Sequence, residues 1–252
     1  MPTDTTFWIA VIFAVSVLGL SKGGFAGVGG IATPLMALFL PPLEAAALLL
    51  PIMILQDAIS VWFYRRDFDK RNLMIMLPGA VIGIAVAWGL AAYISDSAVK
   101  FGIGFISLLF ILQSWFAKAP EADAGLPSVP SGVFWGALSG FTSTLAQQGS
   151  PPFQVYVLPQ RLPKLTFVGT VAIFFATVNA VKVIPYFALG NFSTRLFTVS
   201  LMLMPLAVLT NMFGFWVVRV MPTILFYRVA HVLVFVISLE LIREGLVGMF
   251  WR

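Results

Sequence analysis

Apolar residues run along the chain in ten stretches: 7–20, 31–40, 45–64, 73–94, 98–116, 133–146, 153–158, 165–189, 196–218 and 223–242. Six of these are of the length, about 17–25 residues, that carries an α-helix through a hydrocarbon core, and four are too short. The short ones form two pairs, each parted by a polar, glycine- or proline-rich break, at 21–30 in the first pair and 147–152 in the second. The pattern predicts an all-α, polytopic helical bundle embedded in a membrane and built from two repeats. The first repeat is 1–116, a polar linker follows at 117–130, and the second repeat is 131–252. Each repeat opens with a pair of short helices around its break. The linker reads as such from Pro120, Glu121, Asp123, Gly125, Pro127 and Pro130.

The case for duplication rests on order. With Gly29 set against Gly149, Asp57 falls near Asn179, and the stretch 67–71 falls near 191–195. Leu77-Pro78 then falls on Met204-Pro205, and the run from Lys100 on the run from Tyr227. Arg65, Arg66, Lys70 and Arg71 form the densest basic cluster, which the positive-inside rule places in the cytoplasm. If each short pair returns to its starting side or crosses twice, cytoplasmic loops hold more basic residues than if it crosses once. That arrangement puts the N-terminus outside and makes the repeats inverted.

Composition narrows the class further. Hydrophobic residues make up 60% of the 252 and charged residues 10%, against roughly 25% charged in soluble domains. A water-soluble domain is excluded. The net charge of +5 lies in basic residues between apolar runs, so it belongs to loops and is no footprint of nucleic acid. The segment Met1 to Thr6 has Asp4 and neither Lys nor Arg, so it lacks the basic flank of a cleavable signal peptide, and the first apolar run is expected in the mature protein. With no cysteine and the single histidine His231, thiol catalysis, disulfides and Cys/His metal clusters are not expected. There is no Gly-Lys-Ser/Thr phosphate loop, Gly-x-Ser-x-Gly elbow or HExxH, and no enzyme activity or cofactor is expected.

The breaks are where chemistry concentrates. The first reads Ser21-Lys22-Gly23-Gly24-Phe25-Ala26-Gly27-Val28-Gly29-Gly30. Each glycine costs a helix about 1 kcal/mol relative to alanine, so five in ten residues unwind it. Unwound backbone at membrane depth persists only where protein buries it or water lines it. Free N–H groups at the start of the next half-helix form a seat for an anion, and Lys22 adds a full charge. The competing reading is structural: glycines let helices approach closely, and Lys22 snorkels to a surface. A second break in the matching position favours a transport site. It reads Thr142-Ser143-Thr144-Leu145-Ala146-Gln147-Gln148-Gly149-Ser150-Pro151-Pro152, rich in uncharged hydrogen-bonding groups, with prolines suited to start a helix.

Six more polar residues lie in apolar surroundings: Asp57, Asn179, Lys182, Asn211, His231 and Glu240. Asn179 and Lys182, spaced i,i+3, share a helix face and suit an oxyanion, unless Lys182 reaches the headgroups. Asp57 reads as a proton carrier, a partner for a lysine, or a brace between helices. Glu240 is expected to pair with Arg243 at i,i+3, and His231 to be a hydrogen-bonded packing residue.

At the breaks the sequence resembles the sulfite exporter TauE/SafE family, also called the toluene-sulfonate uptake permease family. The resemblance is carried by the first break continued through Ile31-Ala32-Thr33-Pro34-Leu35. It is carried also by Gly149-Ser150-Pro151-Pro152-Phe153-Gln154-Val155-Tyr156-Val157-Leu158-Pro159-Gln160-Arg161-Leu162, and by Gly169-Thr170-Val171-Ala172-Ile173-Phe174-Phe175 with Asn179-Ala180-Val181-Lys182. One departure is that Ser150 follows Gly149 where family members often carry further glycines. The resemblance implies a duplicated secondary transporter of sulfite, organosulfonates or related anions, coupled to the proton-motive force, in the inner (plasma) membrane. The expected anion site takes in Lys22, Gly27, Gly29, Gly30, Thr144, Gln147, Gln148, Gly149, Ser150, Asn179 and Lys182, with the two breaks meeting near the midplane and Asp57 as the coupling residue. The expected partners are a small anion and the lipid bilayer, with no nucleic acid; a homo-oligomer is left open. The alternatives are a membrane scaffold without a substrate, and a transporter of another small ion.

Overall fold

The computed structural model describes residues 5–25, 29, 32–37, 39–40, 42–90, 95–116, 128–188 and 194–250. Among them are ten α-helices and no strand. In chain order these are α1 (Thr5–Gly23), α2 (Ala32–Ala37), α3 (Pro42–Tyr64), α4 (Lys70–Leu90), α5 (Asp96–Phe116), α6 (Val129–Ala146), α7 (Ser150–Val157), α8 (Lys164–Ala188), α9 (Thr194–Val220) and α10 (Thr223–Phe250). The expected all-helical architecture is present. A sequence of one long, one short and three long helices occurs once in each half of the chain. The first member of each pair is longer than its apolar run. At 19 residues, α1 continues through Ser21-Lys22-Gly23, and α6 has 18. Most of the linker, 117–127, lies outside the described residues.

Among the described residues, five helices are long and apolar enough to cross a membrane: Thr5–Gly23, Lys70–Leu90, Lys164–Ile184, Leu196–Val220 and Thr223–Phe250. The burial pattern is inverted relative to a soluble protein. Gln56, Asp57, Ser60, Asn179, Lys182 and Asn211 are buried, whereas Trp62, Ile184, Met202, Leu209 and Ile224 are largely exposed. Exposed apolar side chains in such numbers are stable only against lipid, where a polar outer surface would be the liability. This is a multi-pass membrane protein.

The chain folds into two compact units, and each draws on both halves of the sequence. The first comprises 1–69 and 164–223, hence α1, α2, α3, α8 and α9; the second comprises 70–163 and 224–252, hence α4 to α7 and α10. In the first unit, Phe7, Val11, Val15 and Leu18 of α1 share a core with Leu48, Leu49 and Ile52 of α3 and Leu203 and Ala207 of α9. Gly19 and Gly23, one turn apart on α1, lie against Thr210 and Gly214, one turn apart on α9. A Cβ on Gly23 would stand 2.5 Å from the Gly214 Cα, so this crossing needs small residues on both sides. The second unit uses the same device, with Gly79 and Gly83 of α4 against the backbone of α6. The packing role of the helix glycines is therefore realised.

Candidate functional site

The end of α1 is held by α3. The last carbonyls of a helix have no partner within it, and here two α3 hydroxyls supply partners. Tyr64 donates to the Gly23 carbonyl at 3.0 Å, and Ser60 Oγ lies 3.0 Å from the Lys22 carbonyl and 2.8 Å from that of Gln56, which share its one hydrogen. Gly24, at φ +145°, then turns the chain out of the helix in a conformation that favours glycine. The break thus begins after residue 23, later than its glycine content alone predicts.

With the backbone anchored, the Lys22 side chain meets α3 as well. Its Nζ lies 2.5 Å from Asp57 Oδ1, with side-chain exposures of 12% and 5%. Asp57 Oδ2 accepts from Asn179 Nδ2 of α8 at 2.6 Å. Lys182, one turn on from Asn179, is fully buried and within electrostatic reach of both Lys22 and Asp57. Asp57 therefore has a lysine for a partner, as one of its three readings had it, and Lys182 does not reach a headgroup. Two lysine amines gather around one carboxylate.

A neutral polar strip adjoins this cluster on the α9 side of α3. Asn211 Nδ2 donates to the Gln56 carbonyl at 2.9 Å, Gln56 Nε2 reaches the Ala207 carbonyl at 3.4 Å, and Ser60 Oγ lies 3.5 Å from Asn211 Oδ1. Gln56 is completely buried and its Oε1 has no hydrogen-bond partner. Of this strip the sequence reading named only Asn211. The signal for the rest was present in the i,i+4 spacing of Gln56 and Ser60, polar residues inside an apolar run.

The first-break glycines of the expected site are only partly described. Gly27 and Gly30 lie outside the described residues. Gly29 packs on the last turn of α1, where a Cβ would meet Ser21 Oγ at 2.9 Å.

The second break lies wholly in the second unit. Gln147 ends α6 in the left-handed region at φ 55°, and its N–H and that of Gln148 both turn back to the Thr142 carbonyl. Ser139 Oγ donates to the Gly149 carbonyl at 2.6 Å, Thr142 Oγ1 to the Gln148 carbonyl at 3.0 Å, and Thr144 Oγ1 to the Gly140 carbonyl at 2.8 Å. These hydroxyl hydrogens are engaged in holding the turn, since a hydroxyl donates only once. Ser150 Oγ accepts from Gln154 Nε2 at 2.9 Å. Pro151 and Pro152 fall in the first turn of α7, as expected, so the N–H groups at its start are those of Gly149 and Ser150.

The expectations for Glu240 and His231 are met. Glu240 pairs with Arg243 through two bonds of 2.8 and 2.5 Å, and His231 Nδ1 donates to the Tyr227 carbonyl at 2.7 Å. Gly169 lies against the Asp67 carbonyl, and Thr170 Oγ1 accepts from the Asp69 N–H at 2.8 Å, which ties the loop after α3 to α8. Gln160 and Asn72 exchange two amide hydrogen bonds, at 2.8 and 3.1 Å. Among the described residues no group of three His, Cys, Asp or Glu is placed to hold a metal.

A dry cluster of ionisable groups in a protein that turns apolar side chains outward is the build of a membrane transport protein, because ionisable groups at membrane depth are costly and persist mainly where a solute or ion is handled. The model of the sulfite exporter TauE/SafE family matches residues 11–241, nearly the whole chain. The chain belongs to this family, one of transporters and not of enzymes. No curated protein and no solved structure matches it.

Proposed function

We propose that the protein is a secondary transporter of a small sulfur-containing anion, of the sulfite or organosulfonate class, driven by the proton-motive force across the inner membrane. The observation that carries this reading is the fully buried Lys182 beside the Lys22–Asp57–Asn179 network. A protein that needed only structural rigidity here would do as well with apolar residues, because a buried ion pair is often no more stabilising than a well-packed hydrophobic substitute. Lys22, Asn179 and Lys182 hold the anion, and Asp57 carries the coupling proton. The N–H groups of Gly149 and Ser150 are a second set of donors to an anion. The two-repeat reading of 1–116 and 131–252, with inverted topology, belongs to the same proposal and is supported by the recurring helix order and the distribution of basic residues.

The test is uptake of radiolabelled sulfite, and of a labelled sulfonate, into proteoliposomes under a pH gradient. Wild type transports at least one of them, whereas Lys182→Met and Lys22→Ala abolish transport while remaining folded in the bilayer. Transport unchanged in both variants removes these lysines from the site. Failure of every sulfur oxyanion to stabilise the purified protein against heat sinks the reading as a whole, since a ligand specific to the folded state raises its stability by mass action.

A further inference from the structure

We infer that the Asp57 carboxylate is an internal stand-in for the transported anion, and that the anion displaces it only as Asp57 takes up a proton. This rests on the transporter reading above and specifies how its site is emptied and filled.

The geometry is that of a bound oxyanion. One carboxylate oxygen takes the Lys22 ammonium at 2.5 Å and the other takes the Asn179 amide at 2.6 Å, so both oxygens of a planar anion are engaged by two different helices. A sulfite or sulfonate oxygen would need these same two donors. They cannot serve the carboxylate and the substrate together, and the cluster already has its anion. Introducing a second negative charge among side chains this dry would be opposed by repulsion from Asp57.

A proton resolves the conflict. It comes from water and forms an O–H bond on Asp57, which then needs no cation; Lys22 and Asn179 pass from the carboxylate to the incoming anion. Before the exchange the network holds the lysines and one carboxylate. Afterwards it holds the lysines and one bound monoanion, so the charge of the site is unchanged. The load is one proton and one monoanion, electrically neutral as a pair.

The groups around Asp57 allow this, and among the described residues Lys182 is the other member of the cluster able to take up a proton. From α1 comes Lys22; from α8 come Asn179 and Lys182. The α9 side presents the uncharged Asn211, and α3 itself adds Gln56 and Ser60 on the face toward α9. Asp57 is the one carboxylate in this set. Because Lys22 and Gly23 are fixed to α3 through their carbonyls, the exchange needs side-chain movement only.

The probe is methanesulfonate, a monoanion that carries no proton of its own across the working pH range. Purified wild-type protein in weakly buffered detergent solution is titrated with it while the pH of the bulk is followed. Uptake of one proton per anion bound, with affinity tightening about tenfold per pH unit of acidification, is the expected result. Asp57→Asn, which keeps the side-chain shape and one acceptor oxygen and removes the titrating group, binds with no proton uptake and no pH slope. Binding to wild type without proton uptake overturns this inference and leaves the transporter reading standing. Absence of binding by both methanesulfonate and sulfite overturns the two together. If Asp57→Asn does not fold, Lys182→Met decides the matter: one proton still taken up per anion assigns it to Asp57, and its loss overturns the inference.

Discussion

Removing the charge of Asp57 should cost more stability than removing that of Lys22, although the two form one ion pair. Asp57 serves two cations, Lys22 at 2.5 Å and Lys182 within electrostatic reach, and it also accepts from Asn179. Asp57→Asn preserves side-chain shape and one acceptor oxygen but leaves Lys22 and Lys182 with no anion in a site where the side chains are 12% exposed or less. Breaking a buried pair in this way costs about 3–5 kcal/mol. For a chain of this size that lowers the melting temperature by roughly 6–20 °C. Lys22→Met leaves Asp57 with Lys182 and Asn179, so its loss falls at or below the low end of that range. Adding Lys182→Met to Asp57→Asn removes one orphaned charge and recovers part of the loss, whereas adding it to Lys22→Met strips Asp57 of its last cation and deepens the loss. Thermal unfolding of the five proteins in one detergent, followed by tryptophan fluorescence and by size-exclusion recovery, reads all of this. If Lys22→Met melts below Asp57→Asn, or if neither moves by more than about 2 °C, the cluster is hydrated and the shared-carboxylate argument fails.

Other consequences are open to the same assay. Gly23→Ala places a methyl group against Gly214 and costs about 1–3 kcal/mol, whereas Gly102→Ala, with open space beside it among the described residues, is neutral or stabilises by up to about 1 kcal/mol. Ser139→Ala removes the buried hydroxyl that holds the Gly149 carbonyl and lowers stability by about 1–3 kcal/mol, read as a drop in melting temperature. Arg243→Ala breaks an exposed i,i+3 pair and leaves the melting temperature unchanged. In proteoliposomes, anion accumulation follows a pH gradient and is indifferent to a potassium–valinomycin potential, because proton and monoanion cross as a neutral pair; accumulation driven by the potential alone contradicts that stoichiometry.

Helix content, membrane class and family were legible in the sequence, because apolar run length and glycine-rich breaks are local signals. The pairing of the helices was not. Periodicity marks Gly19 and Gly23 as one face of α1 but does not say that Thr210 and Gly214 of α9 receive it. The interleaving of the two halves, with α8 and α9 joining α1 to α3, is a tertiary choice made by such complementary faces. At the candidate site, Asn179 and Lys182 were visible through their i,i+3 spacing and Asp57 through its isolation among apolar neighbours. Ser60 and Tyr64 escaped notice because a hydroxyl in an apolar helix ordinarily bonds its own preceding turn, as Ser60 also does through Gln56. Their role depends on where α1 ends, which the glycine count alone places too early. The same holds in the second break, where Thr142 and Thr144 read as donors and instead donate to backbone carbonyls, as does Ser139 just before them.

The contacts of α1 with α3 are of two kinds with different consequences for transport. The hydroxyl–carbonyl bonds from Ser60 and Tyr64 supply partners to helix-end carbonyls in a dry interior, so breaking them costs desolvation of those groups. They carry no charge, and protonation or anion arrival does not weaken them. The Lys22–Asp57 contact is electrostatic, and its strength depends on whether a competing anion or a proton is present. Were the ion pair the only tie, each filling of the site would free the end of α1, and the ordering entropy of that segment would be lost and regained every cycle. With the carbonyl bonds in place, the pair can open while the main chain stays fixed. Separating the two is therefore informative: Tyr64→Phe should loosen the end of α1, raising hydrogen exchange around residues 20–25, without altering the number of protons taken up per anion, whereas Asp57→Asn should do the reverse. A change in proton count in Tyr64→Phe would mean that the anchor and the exchange site are one device and not two.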